Sequence, residues 1–169
     1  LLLFMKGFTP AAATAASLGA VFLSAVSGTV ANGRRRRIDY GLGLVLAAGT
    51  LPGAWIGREV IGRLSSSAFS YSFGTFLLVV AVYLVAVKIQ PGKGKVRGAP
   101  RVVTDSEGQV HRFEVNRVLG FVVSLFVGLI SSLFGIGGGL VLVPFLVVAC
   151  GAPTVVATAT AQFTFVFTA

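Results

Sequence analysis

Four glycines carry the most distinctive chemistry in this sequence. Gly135, Gly137, Gly138 and Gly139 stand in 134-FGIGGGLVLVP-144, with apolar residues on both sides and Pro144 closing the phrase. A glycine inside a helix costs roughly 1 kcal/mol against alanine, so a cluster of them unwinds the helix that contains it. Unwound backbone survives at membrane depth only where it faces protein or a watery cavity. The freed N–H groups, and the N-terminus of a helix restarting near Leu140, attract an anion without a buried charge. Glycines also let helices cross at close range, and the two roles are compatible.

Downstream, Thr158, Thr160 and Gln162 stand at alternate positions. Thr158 and Gln162 share a helical face, and hydroxyl and amide donors facing a cavity complete the shell of an anion. Ser17, Ser24 and Ser27 are their rough counterparts near the start of the chain. The competing use of such hydroxyls is bonding back to their own helix. The remaining candidates for chemistry are sparse. His111 is the single histidine, and Cys150 is the single cysteine. Asp39, Glu59, Asp105, Glu107 and Glu114 all fall in loops or at span ends. No nucleophile–base pair, metal-ligand cluster or cofactor motif emerges, so the reading is a non-enzymatic protein without metal or cofactor.

The elements that position these residues are apolar. Of the 169 residues, 55% are hydrophobic and 11% charged, and the mean hydropathy is +0.91. Several apolar runs approach the roughly 20 residues needed to cross a bilayer, so the expected class is an all-α integral membrane protein, a multi-span bundle. Residues 10–32 form a first span rich in small residues, the composition of a helix packed closely on others. Residues 41–57 form a second, in which Gly49, Gly53 and Gly57 line one face for helix packing and Pro52 should kink or break the helix. Residues 68–87 form a third, expected at the lipid-facing periphery. The long run 118–150 is interrupted by the glycine cluster, and whether that broken stretch crosses or is re-entrant is left open.

Fourteen Lys and Arg stand against five Asp and Glu, a formal net charge of +9. The basic residues sit between apolar runs without interleaved aromatics, which fits positive-inside topology rather than nucleic-acid binding. The Arg34–Arg37 run and the 88–117 loop are separated by two spans, so both are expected in the cytoplasm, in a cell membrane. Within that loop, 102-VVTDSEGQVHRF-113 reads as a small hairpin about Ser106-Glu107-Gly108.

The phrases 7-GFTPAAATAASLGAVFLSA-25 and 151-GAPTVVATATAQFTFVFTA-169 match, with one gap, as Gly, Pro, an Ala/Thr-rich start and a later Phe. This predicts two homologous repeats, parallel or inverted: 1–87 as the remainder of the first, 88–117 as the inter-repeat loop and 118–169 as the start of the second. Both ends fall in apolar runs, so the chain reads as a fragment, with a second glycine phrase expected upstream of Leu1.

The phrases 135-GIGGGLVLVP-144 and 153-PTVVATATAQF-163, with the arginine run before Ile38-Asp39-Tyr40, resemble the TauE/SafE sulfite exporter family. It departs from that pattern at Ala161, where the family often has Ser, and in 15-AAS-17, which keeps the Ser but lacks the Thr. The resemblance implies a two-repeat helical permease that moves small inorganic or organosulfur anions. The other class considered is a non-transporting scaffold or assembly subunit that binds through Gly49, Gly53 and Gly57. The expected partners are the anion and the lipid bilayer, with a homo-oligomer allowed.

Overall fold

The structure, a computed structural model, describes residues 10–86 and 98–168. Residues 7–9 of the repeat phrase, the last residue of the expected third span and the basic segment 88–97 lie outside the described residues. Among the described residues, six helices and one hairpin follow in the order α1 (Pro10–Arg34), α2 (Tyr40–Ile61), α3 (Ser66–Ala86), β1 (Ala99–Thr104), β2 (Val110–Val115), α4 (Arg117–Phe134), α5 (Gly139–Val148) and α6 (Thr154–Val166). Three of them, in α1, α2 and α4, are long and apolar enough to cross a membrane.

Local chemistry sets the ends. Asp39 caps α2 by accepting the N–H of Leu42 at 2.9 Å. Asn116 caps α4 by accepting from Val118 and Leu119. α2 does not break at Pro52; it continues to Ile61, longer than the expected 41–57. Pro52 lies on the exposed side, while the opposite face is gripped along its length by α4.

That grip is made by glycine. A methyl group at Gly53 would collide with the carbonyl of Leu125, and one at Gly57 would lie 2.6 Å from the carbonyl of Leu129. Gly128 of α4 returns the contact against the backbone of Thr50. Successive contacts advance together along both helices, so α2 and α4 run parallel. α6 also runs parallel to α2, with Thr160 beside Asp39, Thr164 beside Gly43 and Thr168 beside Thr50. α1 runs the other way, because Gln162 meets Gly28 and Asn32 while the later Phe165 shares a cavity with Val21.

These contacts fix the path of the broken stretch. α4 ends beside Gly57, at the far end of α2, and α6 passes Asp39, at its near end. Residues 135–153 therefore carry the chain back along the bundle to the end that holds the arginine run. α3 leans on the bundle through Phe69, Phe73 and Phe76, whose rings lie 5.2–5.8 Å from that of Phe134. Its other surface is apolar and open, with Tyr71 80% and Leu78 65% exposed.

The hairpin lies where the sequence placed it, with its strands extended outward to Ala99 and Val115 and with Val103 opposite His111. Val103, Phe113 and Val115 point inward and join the core cluster that includes Cys150, Ala152 and Val156. Arg101 and Asp105 share the inward side of β1 and its turn, as the period of two requires. Arg101 bonds Asp39 at 3.3 Å, and Arg37 pairs with Asp105 and with Glu107.

Candidate functional site

α4 ends in a left-handed residue, Gly135 with φ 64°, whose N–H donates to the carbonyl of Ser131. Gly137 repeats the left-handed conformation at φ 63°. Both suit glycine because no Cβ crowds the following carbonyl. Gly138 then caps α5 without a side-chain bond. Space is also short: a methyl group at Gly135 would lie 3.0 Å from the carbonyl of Thr14, and one at Gly137 would lie 2.7 Å from Val21. Gly138 is closed in by Val127 and Phe165, whereas Gly139 has ordinary room, 3.5 Å from Phe165.

The break thus seats itself on α1, α4 and α6 at once. The first-turn N–H groups of Gly139 and Leu140 have no acceptor among the described residues, as expected of a helix start. Beside them lies a cavity of about 380 Å³ bounded by Val21, Ser24, Gly137, Gly139, Gln162 and Phe165. Among the described residues, its lining carries no formal charge. Asn32 donates to the Oε1 of Gln162 at 2.8 Å. That bond directs the amide so that the NH₂ of Gln162 remains available as a donor. The arrangement offers backbone N–H groups, an amide and the Ser24 hydroxyl in an otherwise apolar chamber.

The residues singled out from sequence are divided by the fold. Gly137, Gly139 and Gln162 come together at the cavity. Gly135 and Gly138 shape the break behind it, and Ser17 lies against Gly135. Thr160 is fully buried and turned toward α2, accepting the backbone N–H of Asp39 at 3.2 Å. Thr158 is not on the cavity wall. Gly49, Gly53 and Gly57 are buried against α4, so that face is already occupied within the chain. Asn32, Gly28, Val21 and Phe165 were not singled out. A polar amide four residues after a glycine in an apolar helix was the available signal for Asn32. Val21 and Phe165 carried none, because apolar residues in an apolar span look alike.

At the end of the bundle, burial raises the carboxyl pKa of Asp105, but the opposing bonds win. The guanidinium of Arg37, the N–H of Glu107 and the hydroxyl of Ser106 hold it below its ordinary value of 3.8.

The family model described as sulfite exporter TauE/SafE matches residues 1–169. A curated protein, the probable membrane transporter protein YunE of Bacillus subtilis (strain 168), is 31% identical over 156 residues. The match covers 92% of this chain and 57% of that protein, so the chain spans little more than half the length of its relative. No solved structure gives a significant match.

Proposed function

Because this chain belongs to the sulfite exporter TauE/SafE family, a family of membrane proteins, we propose that it forms part of a permease for small sulfur-containing anions such as sulfite or a sulfonate. One observation carries the reading: the uncapped start of α5 opens on a chamber lined by neutral donors. Helix N-termini with free N–H groups receive anions, and neutral donors hold a charged substrate without trapping it. The chamber lies between α1, from the first half, and the broken stretch and α6, from the second. Binding at the junction of two halves is the usual plan of secondary transporters.

In this proposal Gly137 and Gly139 present backbone N–H groups, Gly138 holds the break behind them, and Gln162 donates from α6. Ser24 adds a hydroxyl, and Ser17 steadies the break from α1. Thr158 and Thr160 stand outside the chamber, with Thr160 holding α6 to the start of α2. Loops 33–40 and 88–117 face the cytoplasm by the positive-inside rule. The scaffold alternative loses its proposed binding face, since α4 covers Gly49, Gly53 and Gly57.

The test is anion flux in proteoliposomes made with the full-length protein. Gln162→Leu should raise the half-saturating sulfite concentration by about tenfold, the equivalent of one lost hydrogen bond to a charged partner. Gly138→Leu should abolish flux while the protein still reaches the membrane. Wild-type flux in both variants would remove the site from this chamber.

A further inference from the structure

The chamber has a neighbour on the same stripe of α1. Thr14, Leu18, Val21 and Ala25 recur at steps of four and three, so they share one face. Val21 and Ala25 border the chamber already described. Thr14 and Leu18 border a second cavity of about 720 Å³, nearer the start of α1. Trp55 and Arg58 of α2, Ser132 of α4 and Thr168 also line it. The backbone of Thr14 also packs against Gly135, at the glycine break.

Among the described residues, Arg58 is the only charged one on this wall. Among the described residues no carboxylate pairs with it. Ser132, 8% exposed, lines the same cavity, and its hydroxyl has no hydrogen bond among the described residues. Arg58 also lies in the last turn of α2, where any cation complements the helix dipole. That role explains a positive charge at a helix end. It does not explain a cavity or a facing hydroxyl.

A lone guanidinium at the mouth of a partly apolar cavity concentrates anions and binds oxyanions through paired N–H donors. α2 is 22 residues long, about 33 Å at 1.5 Å per residue. Arg58 is thus near the opposite end of the bundle from the Arg34–Arg37 run. We propose that this second cavity is an anion-capture site, in which Arg58 and Ser132 receive a small oxyanion before it reaches the glycine break. The inference rests on the transporter reading, and its test separates the two.

The first arm needs no transport. Ser132→Cys in the full-length protein is treated with an anionic and a cationic methanethiosulfonate. The ratio of their rates cancels any change in thiol reactivity. Arg58 should favour the anionic reagent by about tenfold, and Arg58→Gln should bring the ratio close to one, whereas Arg58→Lys keeps most of it. The same ratio with Arg58 and with Arg58→Gln would overturn the capture site.

The second arm measures sulfite flux. Arg58→Gln should raise the half-saturating concentration about fivefold to tenfold and leave the maximal rate within about twofold, an effect that weakens as ionic strength rises. An unchanged half-saturating concentration in a protein that transports would also overturn it. Absence of flux in the wild type would overturn the transporter reading instead, and the labelling arm would still decide the site.

Discussion

A half-buried amide and a buried carboxylate show how single residues are conditioned here. Gln162 has its oxygen engaged by Asn32 and its flank pressed on Gly28, so its NH₂ can point in few directions. Orientation of that kind turns a common polar residue into a fixed donor. Asp105 is conditioned by charge. Its pKa is lowered in the folded protein, so the stability it contributes is fully present above its ordinary value of 3.8 and is lost as the pH falls through the lower folded value. The hairpin should therefore stay bound to the α1–α2 loop across about pH 5–8 and let go only in stronger acid. Hydrogen exchange at the Glu107 and Gly108 amides reports it. Release of these amides near neutral pH would contradict the assignment. Asp105→Asn should raise their exchange at every pH above 3.8.

Among the elements, the α2–α4 pair behaves as one unit because backbone meets backbone. Gly53 has no room for even a methyl group beside Leu125, whereas Gly74 on α3 has nothing within 4 Å. Gly53→Ala should cost roughly 1–3 kcal/mol as overpacking, and Gly74→Ala should be neutral or stabilising by a few tenths of a kcal/mol. Thermal unfolding in detergent compares the two; equal shifts would deny the close approach. The spacing of Gly49, Gly53 and Gly57 announced a packing face, but not its partner. That partner is α4, more than 60 positions later in the chain. The helix does not break at Pro52, one of the two outcomes expected there, for a related reason. A proline lowers the stability of a helix locally, and here it lies on the exposed side of a helix held on its other face.

For the whole molecule, the direction of each helix carries the most information. α1 and α6 carry the two phrases read from the sequence as a repeat, and they run in opposite directions. If the phrases mark equivalent helices, the halves are related by an inverted repeat, the arrangement common among secondary transporters. Arg35→Cys, after α1, and Thr154→Cys, at the start of α6, should then react with an impermeant thiol reagent from the same side of the membrane. Labelling from opposite sides would sink the inverted relation. α3 leaves an apolar surface open, with Val85 88% exposed; the lipid-facing periphery expected for it would set that surface against acyl chains.

The sequence by itself determined the class, the helices, the hairpin and the place of the break. Each depends on local properties: apolar length, capping residues, turn residues, and glycine's tolerance of φ near +60°. Its match to one family also needed only the linear phrase. Tertiary structure alone decided which polar residues meet. Thr158, Thr160 and Gln162 lie within five positions, yet only Gln162 reaches the chamber, and Thr160 holds Asp39 instead. Successive helical residues point about 100° apart, so neighbours in sequence face different partners. Which partner each one finds is set by the crossing of helices far apart in the chain.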